Sequence, residues 1–194
     1  MKYKVNEIFT SVIGEGRWAG TPAAFVRFYG CNLECEYCDT PQATYFELTV
    51  DEVVKAVKRT VQHRVVLTGG EPLVHDLEPL TKALFPLLIH LETNGTRSLT
   101  GNFNWVSVSP KLTTFSCGDV IKRADEFKFT VPPWNESSIR AFLDTYNIVE
   151  KTVLLQPQAD GQLIIWENVR KCYDIALRTG WTLSVQLHKL IGVR

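Results

Sequence analysis

The sequence lacks an excess of charge of either sign. Lysine plus arginine number 21, and aspartate plus glutamate also number 21, in a chain of 194 residues. The chain therefore has no net basic field that would attract nucleic acid, and any polyanion contact would need a local basic patch. Disorder is not indicated either, because 45% of the residues are apolar and 11% are aromatic. We expect a folded protein without a nucleic-acid partner.

Long hydrophobic runs are also missing. No apolar run approaches the roughly 20 residues that a helix needs to cross a bilayer. The first residues, Met1 to Glu7, do not form an apolar leader. We therefore expect a cytoplasmic protein with no membrane partner. Because no repeat or Ser-, Gly- or Pro-rich linker interrupts the sequence, residues 1–194 are predicted to fold as a single domain.

Cysteine is scarce, and the five cysteines are unevenly placed. Cys31, Cys35 and Cys38 lie within one short segment, whereas Cys117 and Cys172 stand alone. This pattern argues for a reducing compartment and a metal centre rather than disulfides. The two lone cysteines are most simply small buried residues. Three clustered thiolates without a fourth would leave one metal position open, and an open position is where chemistry can occur.

The spacing C-x3-C-x2-C alone is compatible with more than one centre. A zinc site would use Cys117 or a histidine as its fourth ligand, and a closed redox cluster would also need four ligands. Zinc ligands usually arrive as two close pairs, whereas these three cysteines share one loop after an apolar segment. The pattern therefore favours a [4Fe-4S] cluster with one open iron. Tyr37 would shield the cluster, stack on a purine, or simply pack.

Short apolar runs alternate with amphipathic ones, which predicts β/α units throughout the chain. Strands are predicted over residues 24–29, 64–68, 87–92, 105–109, 127–131, 152–156 and 182–186. Helices are predicted over residues 49–62, 76–85, 135–146 and 163–178. The first helix begins at a capping box formed by Thr49 and Glu52.

Polar residues follow these strands at their carboxyl ends, as in the segments 68–71, 92–95, 109–111, 156–158 and 186–188. In a β/α barrel those ends converge on one mouth. A full barrel of eight units needs about 200 to 250 residues, so we predict an incomplete TIM-like β/α barrel of about six strands. A doubly wound open sheet is the alternative, and its ligands would lie at the same strand ends.

Two separated motifs together resemble the radical S-adenosylmethionine superfamily. One is the cysteine loop with an aromatic residue, Tyr37, before its last cysteine, and the other is the Gly-Gly-Glu-Pro run at residues 69–72. The resemblance implies that Cys31, Cys35 and Cys38 hold a [4Fe-4S] cluster whose open iron binds S-adenosylmethionine. Reductive cleavage of that cofactor would give a 5'-deoxyadenosyl radical. By itself, the Gly-Gly turn would indicate only a tight connection between a strand and a helix.

Further motifs are similar to those of one family within that superfamily. They are Glu7-Ile8-Phe9, Gly14-Glu15-Gly16, Arg27, Cys38-Asp39-Thr40, Glu92-Thr93-Asn94-Gly95, Ser109-Pro110-Lys111, Gln156-Pro157 and Gln186-Leu187-His188-Lys189. Together they resemble the 7-carboxy-7-deazaguanine synthase family of queuosine biosynthesis over the whole chain.

That resemblance implies a carbon-nitrogen lyase that converts 6-carboxy-5,6,7,8-tetrahydropterin to 7-carboxy-7-deazaguanine with release of ammonia. In this reaction S-adenosylmethionine is regenerated, because hydrogen returns from deoxyadenosine to the product radical. A reductant such as flavodoxin or ferredoxin and a homodimeric assembly are also implied. An activase for a glycyl-radical enzyme is the alternative function, since such enzymes can share the cysteine spacing.

The resemblance also implies a binding site for S-adenosylmethionine. The segment at residues 68–72 would support the methionyl amino group, with its exposed backbone and the carboxylate of Glu71 as hydrogen-bond acceptors, and the loop from Gln156 would contact the adenine. The residues implied in this site are Tyr37, Cys38, Asp39, Gly70, Glu71, Ser109, Pro110, Lys111, Gln156, Pro157, Gln158 and Ala159.

A second set of residues is implied in binding the pterin. Arg27 offers a planar, two-pronged donor for the substrate carboxylate, with a surface ion pair as its alternative role. Glu15 could accept from the guanidine-like edge of the pterin, or lie in a plain turn. If strand alternation holds, Gln186 and His188 share one face, although His188 could also be structural. The set comprises Val12, Ile13, Gly14, Glu15, Arg27, Thr68, Gln186, His188 and Arg194.

Ile13 and Thr40 need separate comment. Relatives often carry Gln where this chain has Ile13, which leaves only backbone contacts at that position. Thr40 is implied as a ligand of Mg2+, with substrate oxygens completing the site. Because Mg2+ prefers hard oxygen ligands and keeps several waters, such a site would form only when substrate is bound. Without the resemblance, Thr40 would be read as an ordinary loop hydroxyl.

Overall fold

A computed structural model describes residues 1–38, 40, 44–112, 114–149 and 151–194. Over these residues nine strands form one sheet. They are β1 (Lys2–Val12), β2 (Pro22–Phe28), β3 (Phe46–Thr49), β4 (Arg64–Gly69), β5 (Leu88–Thr93), β6 (Trp105–Val108), β7 (Glu126–Val131), β8 (Thr152–Pro157) and β9 (Thr182–Leu183).

The strands lie in the order β3-β1-β2-β4-β5-β6-β7-β8-β9. Strand β1 pairs antiparallel with β2 and β3, and all pairs from β2 to β9 are parallel. Because β3 and β9 each have a single neighbour, the sheet is open. The prediction of an incomplete β/α barrel is confirmed. Its parallel part has six strands of four or more residues plus the two-residue β9, while the antiparallel strands β1 and β3 were not predicted.

Six helices were found among the described residues, together with one 3-10 turn at Pro72–Val74. The helices are α1 (Val50–Lys58), α2 (Glu78–Leu84), α3 (Gly118–Arg123), α4 (Glu136–Thr145), α5 (Trp166–Thr179) and α6 (Leu187–Leu190). The predicted capping box is present, because Thr49 and Glu52 exchange hydrogen bonds at the start of α1. That helix ends four residues earlier than the predicted Gln62, and α3 and α6 were not predicted. None of the described helices is long and apolar enough to cross a membrane.

Strand β7 shows how the sequence separates the core from the interior of the barrel. All six of its residues are buried, and apolar and polar side chains alternate along it. Phe127 and Phe129 pack on Phe142 of α4, with ring centroids 6.1 and 5.4 Å apart. The intervening Lys128 therefore points to the opposite face of the sheet, into the barrel. Because β7 is a central strand with a buried polar face, we expect a functional site on that face.

The prediction of a strand over residues 182–186 is largely wrong. Only Thr182–Leu183 pair with β8, and Gln186 caps the short helix α6, which contains His188. The two side chains therefore do not share a face by strand alternation. Their placement depends instead on a tertiary hydrogen bond, in which Leu187 N donates to Gly14 O over 2.8 Å.

The loop at residues 13–20, between β1 and β2, closes the amino-terminal end of the barrel, and we call it the amino-end plug. The ring of Trp18 lies 5.7 Å from the rings of His90 and Trp105, and the guanidinium of Arg64 lies 4.4 Å from its centroid. Two backbone hydrogen bonds of 2.8 Å fix the neck of the plug. The plug fills the end of the barrel opposite the predicted mouth.

Candidate active site

One cavity of about 410 Å³ opens at the carboxyl ends of the parallel strands. This is the position predicted from the polar residues that follow the strands. Twenty residues that the sequence assigned to the cluster, to S-adenosylmethionine, to Mg2+ or to the pterin line it together. They are Val12, Gly14, Glu15, Arg27, Cys31, Cys35, Tyr37, Cys38, Thr40, Thr68, Gly70, Ser109, Lys111, Gln156, Pro157, Gln158, Ala159, Gln186, His188 and Arg194.

Four assigned residues are not among those that line the cavity. Asp39 lies outside the described residues. The Ile13 side chain is buried in a small apolar cluster with Phe25 and Val66, so it faces the core rather than a ligand. Pro110 is buried as well, and its carbonyl accepts a hydrogen bond of 3.0 Å from Trp134 Nε1. The fourth residue is Glu71.

The surroundings of Glu71 place its carboxylate behind the cavity wall and not in the cavity lining. Its side chain is fully buried and its two carboxylate oxygens already accept three hydrogen bonds, from Leu73 N, Thr93 Oγ1 and Asn94 N, at 3.0, 2.6 and 2.7 Å. Burial raises the pKa of this carboxyl, although the hydrogen bonds oppose the rise. Glu71 therefore joins the Gly-Gly turn to the loop after β5 from behind the cavity. It supports the wall, and its contact with a methionyl amine stays a prediction.

The cysteine loop forms one wall of the cavity. Cys31 and Cys38 are exposed, Cys35 is partly exposed, and all three are free thiols. In the described part of the loop, Cys38 N donates to Cys35 O (3.1 Å), Asn32 Nδ2 donates to Thr96 Oγ1 (2.8 Å), and Asn94 Nδ2 lies 3.9 Å from Cys31 Sγ. Accessible soft sulfur ligands beside a cavity fit the donor set of an iron-sulfur cluster.

A fourth cysteine ligand is not available in this cavity. Cys172 is fully buried, and burial raises the pKa of its thiol to about 12. Cys117 packs against the core, and its thiol donates to Thr96 O over 3.2 Å. Within the described part of the chain, no three His, Cys, Asp or Glu side chains already form a group that could hold a metal ion. The alternative of a preformed zinc site, with Cys117 or a histidine as fourth ligand, is therefore not supported.

A partly buried lysine connects the cysteine wall to the rest of the site. Lys111 Nζ donates to Ser109 Oγ over 2.9 Å and lies 5.8 Å from the centroid of the Tyr37 ring. Burial lowers the pKa of this amine, and the thiols of Cys35 and Cys38 act in the opposite direction. Burial also raises the pKa of Tyr37 to about 12. The ammonium of Lys111 is therefore placed to meet an anionic group that enters beside the cysteines.

The floor of the cavity is formed by three charged side chains, Glu15, Glu92 and Lys128. Lys128 Nζ lies 2.8 Å from Glu15 Oε2 and 3.3 Å from Glu92 Oε1. Burial favours a high pKa for Glu15, but the charge and hydrogen bond of Lys128, with a further hydrogen bond from Gln186, lower it to about 2. Burial acts against the ammonium of Lys128, but both carboxylates raise its pKa. Glu15 and Lys128 are therefore both charged near neutral pH, and the Lys128 ammonium lies between two glutamate side chains.

Neutral polar groups surround this charged floor. Gln156 Nε2 and Gln186 Nε2 both donate to Glu15 Oε1, at 3.1 and 2.7 Å. The oxygens Gln156 Oε1 and Ser107 Oγ are buried and have no hydrogen-bond partner among the residues that the structure describes. Both residues line the cavity. Because buried polar atoms are normally paired, these two oxygens indicate that a ligand with hydrogen-bond donors completes the floor.

Two glycines allow the plug to present Glu15 to the floor. A Cβ on Gly14 would lie 1.8 Å from His188 Nδ1, so the imidazole of His188 occupies the space that a side chain would need. Gly16 has a φ of +73°, and a Cβ there would lie 2.3 Å from Glu126 Oε1. The sequence predicted that Gly14 allows a flat ligand to approach. The structure shows that it allows His188 to pack.

Arg27 is already paired on its wall of the cavity. Its Nε donates to Glu7 Oε1 over 2.8 Å, and Glu7 also forms an ion pair with the side chain of Arg194. The guanidinium groups of Arg27 and Arg194 lie 5.6 and 5.1 Å from the ring centroid of Phe9. Arg27 is thus oriented by a carboxylate and an aromatic ring, and its alternative role as a surface ion pair is not supported because its side chain is only 23% exposed.

Sequence reasoning missed several residues of the site, above all Lys128, Glu92, Ser107 and Glu7. Glu92 was recognised as a strand-end residue but was given no role. Lys128 had a usable signal, because a lysine between Phe127 and Phe129 occupies the second face of a strand whose first face is strongly apolar. A charged residue on the inner face of a central strand needs a partner, and that partner lies in the site.

Comparisons with known proteins agree with this geometry. A model of the radical SAM superfamily matches residues 25–125. The chain is 36% identical to the 7-carboxy-7-deazaguanine synthase of Synechocystis sp. (100% of this chain and 95% of that protein), and 38% identical to the one of Bacteroides thetaiotaomicron (100% of both). Among solved structures, a crystal structure of QueE from Escherichia coli superposes with a TM-score of 0.81 at 29% identity, over 97% of this chain and 95% of that one.

Proposed function

Because the chain belongs to the 7-carboxy-7-deazaguanine synthase family of radical S-adenosylmethionine enzymes, we propose that it converts 6-carboxy-5,6,7,8-tetrahydropterin to 7-carboxy-7-deazaguanine with release of ammonia. The reaction belongs to queuosine biosynthesis. One observation carries the proposal for this chain: a three-cysteine loop and a floor of buried hydrogen-bond acceptors face each other across one cavity.

The family implies a [4Fe-4S] cluster and S-adenosylmethionine, and the residues of the cysteine wall suit both. Cys31, Cys35 and Cys38 would hold the cluster, which with S-adenosylmethionine supplies one-electron chemistry that removes a hydrogen atom from a bound substrate. Lys111 and Ser109 would hold the charged methionyl end and the ribose. The loop at residues 156–159 lines the same cavity and would contact the adenine.

The floor and the wall near Arg27 suit the two ends of the pterin. The 2-amino-4-oxopyrimidine edge carries several N–H donors, which match the carboxylates of Glu15 and Glu92 and the unpaired oxygen of Gln156. The substrate carboxylate matches the guanidinium of Arg27. Thr68, whose hydroxyl donates to Glu92 over 3.2 Å, lies between these ends and would add a contact to the ring.

His188 lies on the plug side of the same floor and lines the cavity. We propose that its imidazole packs beside the pterin, where it would orient the ring or carry a proton during loss of ammonia. The backbone of Val12 and Gly14, and the terminal Arg194, would complete the enclosure. These residues exclude water and fix the orientation of the substrate.

Mg2+ belongs to the proposal as a third cofactor. Thr40 lines the cavity, so its hydroxyl could serve as one oxygen ligand while substrate oxygens and water supply the others. With a single protein ligand, the ion would bind tightly only in the presence of substrate. This predicts that Mg2+ affects the KM for the pterin more than the binding of S-adenosylmethionine.

We propose the following setting for the enzyme. It would act as a single domain in the cytoplasm, with a flavodoxin or ferredoxin as electron donor and with neither nucleic acid nor membrane as a partner; five free thiols suit a reducing compartment. It would form a homodimer, which is supported by an exposed apolar stripe of Trp166, Tyr173 and Leu177 on α5.

The test is turnover by the reconstituted, reduced protein with S-adenosylmethionine, Mg2+ and 6-carboxy-5,6,7,8-tetrahydropterin. We expect the ultraviolet absorbance of a deazaguanine to appear together with one equivalent of ammonia, and no product when S-adenosylmethionine is omitted. Release of deoxyadenosine without a deazaguanine would overturn the proposal. That outcome would instead favour an activase for a glycyl-radical enzyme.

A further inference from the structure

Lys128 is the most deeply buried charged side chain in the cavity, with only 6% of its side chain exposed. It comes from the middle of β7 and bridges carboxylates from two other parts of the chain. Glu15 belongs to the amino-end plug, and Glu92 belongs to β5. No role in the proposed reaction has yet been given to this lysine. A buried ammonium of this kind is costly unless its partners compensate for its lost hydration.

The surroundings of Lys128 contain more negative than positive charge. Glu15 and Glu92 contact it directly, and Glu126 acts on it from the first position of β7. Lys111, from the segment after β6, is the other nearby cation, and His188 of α6 acts electrostatically on Glu15. The groups that β8 and the chain before α6 contribute are the neutral amides of Gln156 and Gln186. Lys128 is therefore the only cation that contacts both carboxylates among the described residues.

We infer that Lys128 is a positioning residue that fixes Glu15 and Glu92 as two ionised acceptors and thereby selects a substrate ring with an amino group at C2. This inference rests on the proposed function, because the ring is that of the proposed substrate. Lys128 acts through the carboxylates and need not touch the pterin. Without its ammonium, two carboxylates would face each other across a buried floor, and one of them would take up a proton.

The protonated carboxyl would change the hydrogen-bond pattern of the floor. A carboxylate accepts only, whereas a carboxylic acid also donates. The 2-amino group of a pterin presents donors and suits two carboxylates. A lumazine, which has an oxygen in place of that amino group, presents an acceptor and would face unfavourable contacts. Lys128 thus determines specificity, because loss of its charge would weaken pterin binding and at the same time relieve the penalty on the 2-oxo ring.

The experiment compares wild type with Lys128→Met, Lys128→Arg and the exposed control Lys58→Met, as reconstituted enzymes between about pH 5.5 and 8.5. For Lys128→Met we expect the KM for the pterin to rise about tenfold or more, and to rise further as the pH falls. Inhibition by the matching carboxytetrahydrolumazine should become stronger relative to wild type. Lys128→Arg should keep a pH-independent KM, and Lys58→Met should behave as wild type.

A Lys128→Met enzyme with the wild-type KM, pH profile and lumazine discrimination would overturn the inference. If that variant does not fold, Lys128→Gln takes its place, because it removes the charge but keeps a hydrogen-bond donor, and the same outcomes apply. Difference infrared spectra of the carboxyl region give a readout that does not need turnover. Near pH 7 a protonated carboxyl band should be present in the uncharged variant and absent from wild type.

The two levels of proposal can fail separately. If wild type makes no deazaguanine, the proposed function fails, and the infrared spectra still decide whether Lys128 keeps both carboxylates ionised. If wild type makes the product but the uncharged variant shows no carboxyl band and no pH-dependent KM, only the role of Lys128 fails.

Discussion

The floor of the cavity and the wall that carries the cysteines are constructed in opposite ways. On the floor, Lys128 lies between Glu15 and Glu92, and two glutamine amides complete the network. On the wall, Cys31 and Cys38 are exposed, and all three cysteines are free thiols. The floor is tied to three strands, to the residue before α6 and to the plug, whereas the wall is a loop supported from behind by Glu71.

This difference separates recognition from reactivity. The charged network of the floor is already formed by the protein's own side chains, so we expect the binding of a ligand ring there to need little reorganisation. The cysteines line the cavity, and no three His, Cys, Asp or Glu side chains among the described residues are grouped as metal ligands. Because metal binding commonly completes the local structure of its ligands, we infer that the cysteine wall reaches its working form only when the cluster is bound.

The largest effect is expected from replacing one cysteine of the wall while the floor stays unchanged. Cys35→Ala should abolish cluster retention and product formation, because two remaining thiolates cannot hold a four-iron cluster stably. The melting temperature of the cluster-free protein should change little, since the loop contributes little to the core. Iron content, the cluster absorbance, turnover and a thermal melt check this prediction.

The matched control for that variant is Cys117→Ala, which lies away from the cavity and packs against the core. It should keep a full cluster and most of the turnover, with a small loss of stability. A Cys35→Ala protein that retains four irons, or a Cys117→Ala protein that loses them, would contradict the division between wall and floor.

The next largest effect is expected from a substitution in the amino-end plug, which lies beneath the floor. Gly14→Ala places a methyl group 1.8 Å from the position of His188 Nδ1, so the imidazole must move and the hydrogen bond from Leu187 N to Gly14 O is disturbed. We expect the KM for the pterin to rise by about tenfold or more while the cluster content stays normal. Steady-state kinetics and iron analysis would measure both.

The control for Gly14→Ala is Gly118→Ala, because a Cβ on Gly118 would meet no atom within 4 Å. It should have wild-type kinetics and equal or slightly higher stability, since alanine favours a helix. Equal KM values for the two variants would show that the contact between the plug and α6 does not shape the floor.

The third prediction concerns the link between wall and core. Glu71→Gln replaces one acceptor oxygen by an amide that faces donors, in a fully buried position with three hydrogen bonds. We expect a loss of about 2 kcal/mol in the free energy of unfolding, and a smaller effect on KM. Urea denaturation of the cluster-free protein measures the loss. The exposed Glu78→Gln, which removes only a surface pair with Lys82, should cost less than about 0.5 kcal/mol. Similar losses for both would mean that the Gly-Gly turn is held by something other than Glu71.

The sequence predicted the parts of this architecture that depend on local pattern. Apolar runs gave seven of the nine strands, and polar strand ends such as Thr68 and Ser109 predicted a common mouth. Strand β1 was missed although the buried Tyr3 and Val5 alternate with the exposed Lys2 and Lys4, which is a local pattern typical of a half-buried strand. Its place in the sheet comes from pairing with β2, which is a long-range contact that local pattern does not contain.

The site was predictable where a motif carries the chemistry and not where tertiary contacts do. The cysteine loop was found from spacing, but the buried partners of Glu71 and Lys128 come from distant segments and carry no local signal. Gln186 and His188 were placed on a strand because Thr182–Leu183 begin one. A single contact of the following turn with Gly14 O sets their actual orientation.

The smallest predicted effect extends the comparison to the amino-end plug beneath the floor. His90 Nε2 lies 2.5 Å from Arg64 Nη1, and burial together with the Arg64 charge lowers the pKa of His90 to about 4. In the unfolded chain this histidine would take up a proton near its ordinary pKa of about 6.5. Its contribution to stability is therefore complete above about pH 6.5 and is lost as the pH falls towards 4, because only the unfolded state gains a proton there.

His90→Gln should consequently lose less stability on acidification than wild type, by at most about 1.4 kcal/mol between about pH 6.5 and 5.5. The exposed His63→Gln should keep the wild-type slope. Urea denaturation of the cluster-free proteins at both pH values provides the measurement. Glu15 of the plug, with its pKa of about 2, stays ionised in the folded protein throughout this range, so its titration does not obscure that of His90. Identical slopes for His90→Gln and wild type would show that His90 takes up a proton as readily in the folded protein as in the unfolded chain. Burial beside the plug would then have no effect on the pKa of this histidine.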